Sequence, residues 1–418
     1  MRRLLAQTRS FTPAARLLMV NQFAINLAFY MLIPYLAAHL AGDLRLEAWA
    51  VGLVLGVRNL SQQGMFLIGG TLADRYGYKP PIIAGCLLRT AGFALLGWAD
   101  GLPALLAASA ATGFAGALFN PAVRAYLATE AGPRRVDAFA VFNVYYQAGM
   151  LLGPVVGLAL LAADFRTVCT AAALVFAALS ALQARALPAR LASATGVGGP
   201  GLPPVLAQWA RAVGNRPFML FAVAMAGSYV LTFQVYLVLP LAADGALGDE
   251  APKATTALFV LSAAVAVAGQ LRLTGWAKRR LAPHRALVAG VACMGAAFVA
   301  PALAPTTSRG WVLVALALSV TLLAGAAALV YPFEMDTVVA LCGNELVATH
   351  YGLYNTVSGL GITLGNLALG ALWDTARPGA PWLVWVVLIA IGAGCAVTLT
   401  ALARSGRLDA DPALPAPV

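Results

Sequence analysis

Long apolar runs separated by short polar breaks organise the whole chain. Windows of about 19 residues resolve twelve such runs, close to the length at which a helix crosses the hydrocarbon layer of a bilayer. The pattern therefore predicts an all-α integral membrane protein with twelve transmembrane helices. The twelve runs cover approximately residues 16–40, 48–72, 82–98, 102–125, 139–161, 167–182, 218–241, 254–277, 286–303, 311–341, 348–373 and 382–403.

The two halves of the chain resemble each other. Asn120-Pro121 precedes Phe142-Asn143 in the first half, and Tyr331-Pro332 precedes Tyr354-Asn355 in the second, at offsets of 211 and 212 residues. Such a repeat predicts two pseudo-symmetric six-helix bundles. A Gly-, Pro- and Ala-rich stretch between them is predicted to hold a short interfacial helix over 203–213. The expected limits are 1–187 for the N-terminal bundle, 188–216 for a cytoplasmic linker, 217–404 for the C-terminal bundle and 405–418 for a cytoplasmic tail.

Composition and charge narrow the class of protein further. Hydrophobic residues make up 61% of the chain, charged residues only 10%, and the mean hydropathy is +0.82, which excludes a soluble globule and a disordered chain. Of the 27 Lys and Arg residues, 18 fall on one side of the predicted membrane. That bias predicts cytoplasmic termini and explains the net charge of +11 without nucleic acid. The excess of Arg over Lys favours a high-GC bacterial source, and hence the cytoplasmic membrane.

Enzymatic, metal and cofactor chemistry find no support in the sequence. The five cysteines are dispersed without a CxxC pair and are interpreted as small buried side chains. No HExxH, P-loop or GxSxG pattern occurs in a context that would carry catalysis. We therefore expect no enzyme activity, no cofactor and no metal.

A glycine- and charge-containing motif ends the second apolar run. It reads Gly70-Thr-Leu-Ala-Asp74-Arg75-Tyr-Gly77-Tyr-Lys79. This resembles the G-x-L-A-D-R-x-G-x-K/R signature of the major facilitator superfamily, and the resemblance extends over essentially the whole chain. It implies two six-helix bundles that transport a solute by alternating access. It further implies that the motif stabilises the outward-facing state by docking onto the eleventh span.

A second motif in the fifth span favours export. Gly149, Gly153, Pro154 and Gly157 match the G-x-x-x-G-P-x-x-G pattern typical of exporters in the superfamily. The stretch 58–64 is similar to multidrug exporters of the MdtH type, and the two motifs together resemble the drug:proton antiporter branch. This resemblance implies proton-coupled efflux of amphipathic small organic molecules. A proton symporter that imports a nutrient is the alternative, followed by a membrane receptor or scaffold.

Two acidic side chains lie well inside the predicted spans. Glu334 and Asp336 both belong to the tenth span but point about 200° apart, so they cannot face one cavity. A charge at membrane depth is costly and normally marks function. Glu334 shares a face with Tyr331 and is the predicted proton carrier, whereas Asp336 caps or pairs. Arg124 of the fourth span is a plausible coupling partner, with snorkelling to the interface as the alternative.

The resemblance implies that the first, fourth, seventh and tenth spans line the substrate cavity. Aromatic and amide side chains on these spans suit an amphipathic ligand, although ordinary helix packing would produce the same stripe. We expect small-molecule substrates, protons and the lipid bilayer as partners, and a monomeric protein. The predicted cavity residues are Gln22, Asn26, Phe29, Asn120, Tyr146, Tyr229, Phe233, Tyr236, Tyr331, Tyr354 and Asn355.

Overall fold

A computed structural model describes residues 2–188, 204–304, 308–376, 380 and 382–408 of the chain. Within these ranges the protein is helical and contains no strand. The first eight helices are α1 (Arg2–Arg9), α2 (Pro13–Gly42), α3 (Ala48–Tyr76), α4 (Lys79–Trp98), α5 (Leu102–Ala131), α6 (Arg135–Leu161), α7 (Phe165–Ala186) and α8 (Val205–Gly214). The others are α9 (Arg216–Phe233), α10 (Val238–Leu247), α11 (Ala251–Arg280), α12 (Pro283–Ala296), α13 (Val299–Leu303), α14 (Arg309–Leu341), α15 (Val347–Ala376) and α16 (Trp382–Arg404).

The helices match the predicted spans. Ten stretches of the described chain are long and apolar enough to cross a membrane, and one of them, Leu102–Leu161, joins α5 and α6 through a 3₁₀ turn. Helix α3 is 29 residues long but falls outside this group, because Arg58, Asn59 and the run 61–63 lower the hydropathy of its first half. The prediction of an all-α membrane protein is confirmed. The short helix expected over 203–213 corresponds to α8, with residue 203 outside the described residues, and its place at the membrane surface stays a prediction.

Two predicted spans are interrupted. The seventh ends as α9 at Phe233, passes through a 3₁₀ turn and resumes as α10. The ninth divides into α12 and α13 around residues 297–298. A proline follows each break, Pro240 in α10 and Pro301 in α13, and a proline ring clashes with the carbonyl group four residues earlier. Residues 236 and 297 occupy those positions, and each span continues through its break as one stretch long and apolar enough to cross a membrane.

The chain divides into two compact units. Unit 1 comprises Met1–Gly214 and Asn344–Thr356, and unit 2 comprises Asn215–Gly343 and Val357–Val418. Helix α15 contributes its first ten residues to unit 1 and the rest to unit 2. Helix α5 carries an internal Pro121 and α14 an internal Pro332, at corresponding places of the sequence repeat. The predicted residue limits of the two bundles stay a prediction.

Within unit 1, α6 packs closely against α2 along the second motif. A Cβ atom at Gly149 would collide with the backbone carbonyl of Phe23 and lie 2.9 Å from Cβ of Asn26. At Gly153 it would lie 2.7 Å from Cβ of Tyr30. Each glycine therefore faces α2 and permits the close approach of the two helices.

Replacing Gly149 with Ala should destabilise unit 1. The added methyl group meets backbone atoms that cannot rotate away, and such overpacking costs about 1–3 kcal/mol. The matched control is Gly56→Ala in α3, where a Cβ has nothing within 4 Å. Thermal unfolding in detergent should show a lower Tm for Gly149→Ala only, and equal Tm values for the two variants would contradict this packing.

Candidate functional site

The carboxylate of Asp74 binds the first turn of α15. Its Oδ1 accepts a hydrogen bond from the backbone N–H of Ala348 at 3.1 Å, and its Oδ2 accepts one from Thr349 at 2.6 Å. The side chain is only 2% exposed. Since the first N–H groups of a helix have no partner within the helix and carry partial positive charge, a carboxylate is well placed there. One residue of α3 thus caps another helix about 270 positions later in the chain.

The residues before α15 explain why a distant cap is used. The carbonyl of Leu346 accepts the N–H of His350 at 2.9 Å, which makes Leu346 the cap residue of the helix. A leucine side chain has no acceptor for the free N–H groups. Its φ of +49° is also a backbone conformation that bulky residues rarely adopt. Asp74 supplies the oxygens that this local sequence lacks.

Two glycines allow α3 and the start of α15 to touch. A Cβ at Gly70 would collide with the backbone carbonyl of Ala348, and one at Gly352 would collide with that of Phe66. The two positions face each other from opposite helices, so backbone meets backbone at this crossing. Only glycine at both places lets the carboxylate of Asp74 reach the helix end.

Helix α8 covers the same region of unit 1. The indole N–H of Trp209 donates to Oγ1 of Thr71 at 2.8 Å, inside the first motif. Arg211 forms an ion pair of 2.6 Å with Glu345, directly before α15. Helix α8 therefore contacts both α3, which carries Asp74, and the segment that leads into α15. The remaining motif residues lie around the turn that follows: Arg75 is in the last turn of α3, Gly77 has a φ of +84°, and Lys79 begins α4.

The predicted cavity residues of unit 1 fall on four helices. Arg124 of α5 donates to Oδ1 of Asn355 at 2.7 Å, so two residues predicted from different sequence halves meet. Asn26 donates to the carbonyl of Gln22 within α2. These residues fall into two groups according to their solvent exposure. Gln22, Asn26, Tyr354 and Asn355 are buried, whereas Phe29, Asn120, Arg124 and Tyr146 are half-buried.

The predicted aromatic stripe of unit 2 crosses the break between α9 and α10. The Phe233 and Tyr236 rings lie 5.5 Å apart, and Phe259 of α11 extends the cluster at 5.2 Å from Tyr236. Tyr236 occupies the 3₁₀ turn and is 51% exposed. Tyr229 lies further back on α9 and is half-buried. The aromatic cluster therefore sits at a helix break and not on one continuous helix face.

The predicted acidic residues of unit 2 lie near the end of α14. Glu334 is 4% exposed, and Asp336 and Tyr331 are half-buried. Glu334 precedes the last residue of the helix by seven positions, or about 10 Å. Pro332 lies inside the helix two residues earlier and removes one backbone donor from this turn. Unit 2 thus contains an almost completely buried carboxyl group, that of Glu334, near a proline.

Several residues that matter here were not predicted as site residues. Leu346 and Gly352 have no distinctive pattern, because their importance depends on α3, which is remote in sequence. Trp209 belonged only to a predicted interfacial helix. Arg58 and Arg89 are charged positions inside apolar runs, a signal that the sequence carries, although neither is among the predicted site residues.

Comparison with known proteins assigns the class. The sequence profile of the Major Facilitator Superfamily matches residues 18–366, and the chain belongs to this family. It is 53% identical over 405 residues to the MFS-type transporter Rv0849 of Mycobacterium tuberculosis H37Rv, covering 96% of this chain and 94% of that protein. It is 29% identical over 387 residues to the multidrug resistance protein MdtH of Klebsiella pneumoniae strain 342, covering 90% of each.

A solved structure supports the fold. The human organic anion transporter MFSD10 superposes with a TM-score of 0.72 over 93% of this chain and 99% of its own, at 16% identity. With the family match, this confirms the predicted major facilitator fold. The protein is a multi-pass membrane transporter.

Replacing Asp74 with Asn should lower stability. The amide keeps one acceptor but loses the charge, and a buried hydrogen bond to a charged group contributes about 1.5–3 kcal/mol. Asp164→Asn is the matched control, because Asp164 is exposed and caps α7 locally through Thr167. Thermal unfolding should show a clearly larger loss of Tm for Asp74→Asn. A loss no larger than that of the control would argue against a buried cap.

Proposed function

We propose that this transporter is a proton-coupled antiporter that exports amphipathic small organic molecules. The burial of the Glu334 carboxyl group carries the proposal. In this view it is a monomer in the cytoplasmic membrane of a bacterium, with both termini in the cytoplasm. No catalytic chemistry is part of this function.

A buried carboxyl group suits proton carriage because its charge is expensive at depth. Glu334 is 4% exposed on a membrane-spanning helix. Protonation removes that cost, so binding of a proton and access to one membrane face become linked. Asp336 is half-buried and nearer the helix end, where its charge costs less. The expected role of Arg124 as a partner in coupling stays a prediction.

Export, as opposed to import, is favoured by two observations. The Gly149-to-Gly157 motif packs tightly on α2 through glycines, as expected for the exporter pattern. The relative MdtH is named a multidrug resistance protein, and it matches 90% of this chain. A molecule that such a protein expels would contain both apolar and polar groups. The half-buried aromatic and amide side chains of both units suit that chemistry.

We also propose that Asp74 controls the exchange between transport states. Its two hydrogen bonds hold α15 at the first turn, and α15 then continues into unit 2. Releasing that turn would expose the two N–H groups and the carboxylate at once. The two hydrogen bonds of Asp74 therefore form or break together.

Neutralising Glu334 should abolish proton-driven transport. Ethidium or naphthalene-2-sulfonate is added outside inverted vesicles that have an acidic interior, and its accumulation is followed with and without a protonophore. Glu334→Gln keeps the size of the side chain but cannot cycle a proton, so accumulation should fall to the protonophore level. Asp374→Asn, an exposed acid at the end of α15, is the matched control and should transport normally. Full accumulation by Glu334→Gln would eliminate it as the proton carrier.

Asp74→Asn should lower the initial transport rate per folded transporter, in addition to any loss of folded protein. A weakened contact changes the balance between states, and each 1.4 kcal/mol changes that balance tenfold. Initial rates are measured per folded transporter in the same vesicles. Normal rates in Asp74→Asn would refute the proposed control of exchange.

A further inference from the structure

Unit 1 contains two arginines well inside long helices. Arg89 lies near the middle of α4, about 15 Å from either end of that 20-residue helix. Arg58 lies within α3, ten residues after its start. Both guanidinium groups contact the Phe29 ring, at 4.6 Å from its centroid for Arg89 and 5.5 Å for Arg58. The guanidinium carbons of Arg58 and Arg89 therefore lie no farther apart than the sum of these two distances.

Neither charge has a carboxylate partner among the described residues. The eight acids of unit 1 are positions 43, 47, 74, 100, 130, 137, 164 and 345, and all lie in loops or within two residues of a helix end. Arg58 has one side-chain hydrogen bond, to its neighbour Asn59 at 2.6 Å. The Nε atoms of Arg58 and Arg89 are buried without a hydrogen-bond partner in the described part of the chain. Such a pair of like charges calls for an anion.

Three aromatic rings surround the guanidinium group of Arg89. Phe29, Phe119 and Phe176 lie 4.6, 5.0 and 5.3 Å from the guanidinium carbon. A ring face attracts the cation but does not replace an acceptor for the N–H groups, which point outward in the guanidinium plane. Those N–H groups match the two oxygens of a carboxylate, sulfonate or phosphate.

Helix α5 approaches the two arginines closely. A Cβ at position 116 would lie 3.0 Å from Nη2 of Arg89 and 3.3 Å from Oε1 of Gln62, so Gly116 lets the α5 backbone pack beside these polar groups without crowding them. Arg89 is 4% exposed, whereas Arg58, Gln62 and Tyr146 are half-buried. Arg58 is therefore the more accessible charge of the pair.

We propose that Arg58 and Arg89 form a binding site for the acidic group of an aromatic organic anion. The acid group lies against the two guanidinium edges, and the apolar part contacts Phe29. That the anion is also the exported substrate rests on the proposed function. Binding itself does not require proton coupling.

The depth of the site favours a dissolved anion over a lipid phosphate. The hydrocarbon layer is about 30 Å thick, so headgroup phosphates lie about 15 Å or more from its centre. Arg89 occupies the middle of its helix, and its side chain is almost completely buried in protein. A small solute can enter through the protein, whereas a headgroup would have to cross half of the hydrocarbon layer.

The test compares three probes of one shape on the purified full-length protein. Naphthalene-2-sulfonate is an anion, naphthalene-2-sulfonamide is neutral, and trimethyl(2-naphthylmethyl)ammonium is a cation. Binding is measured by calorimetry in phosphatidylcholine nanodiscs. We expect the sulfonate to bind at least tenfold more tightly than either analogue. Equal affinity for the sulfonamide would overturn the proposal, because aromatic contact alone would then explain binding.

Variants assign the binding to the cluster. Arg89→Gln and Arg58→Gln should each weaken sulfonate binding at least tenfold, or about 1.4 kcal/mol. Arg89→Lys keeps the charge without the planar edge and should fall between these variants and the wild type. The matched control is Arg166→Gln, an exposed arginine 5.5 Å from the Trp98 ring, which should bind normally. If Arg89→Gln does not fold, the test rests on Arg58→Gln. Unchanged sulfonate binding by the Arg58→Gln variant would overturn the proposal.

A second arm separates a solute from a lipid. Nanodiscs that contain phosphatidylglycerol should bind the sulfonate as well as phosphatidylcholine discs do. Displacement of the sulfonate by the anionic lipid would overturn the assignment to a dissolved anion. The result is also independent of proton coupling. If the sulfonate does not bind but proton-driven efflux of ethidium is intact, this inference alone is refuted. If the sulfonate binds but proton-driven efflux is absent, only the proposed function is refuted.

Discussion

A polar group that is buried away from water must find its hydrogen-bond partner within the protein, and the architecture depends on this constraint. The start of α15 is the clearest case. Its cap residue, Leu346, offers no acceptor, so the N–H groups of Ala348 and Thr349 bind Asp74 of α3. Close approach then becomes obligatory, which accounts for Gly70 and Gly352 at the crossing. A motif that looks like a charged turn in the sequence is thus a remote helix cap.

The same constraint separates structural polar groups from those that point to function. Most polar side chains in the spans bond to their own helix, as Thr337 does to the carbonyl of Phe333. Glu334 and Arg89 are ionisable groups that lie almost completely buried within long apolar helices. A charge at that depth is costly and normally marks function. We therefore propose that Glu334 carries a proton and that Arg89 binds an anion.

Much of this fold was predictable because the membrane makes hydrophobic length decisive. Twelve runs gave the helices, and the repeat around Pro121 and Pro332 matches an internal proline in α5 and in α14. The breaks before Pro240 and Pro301 do not follow from a proline alone, because Pro121 and Pro332 lie inside uninterrupted helices. The sites were less predictable. Asp74 was recognisable by its motif, but its partner Ala348 and the contact of Arg124 with Asn355 depend on tertiary packing.

The central claim is that movement of substrate is exchanged for movement of a proton. The most direct test measures the internal pH of proteoliposomes that contain a trapped pH-sensitive dye. The substrate added outside is one whose uptake into vesicles is driven by a proton gradient. Antiport predicts that the interior becomes alkaline as substrate enters and protons leave, in wild type and not in protein-free liposomes. Acidification of the interior would show symport, and an unchanged pH during substrate entry would show transport without proton coupling. Either result would contradict the account.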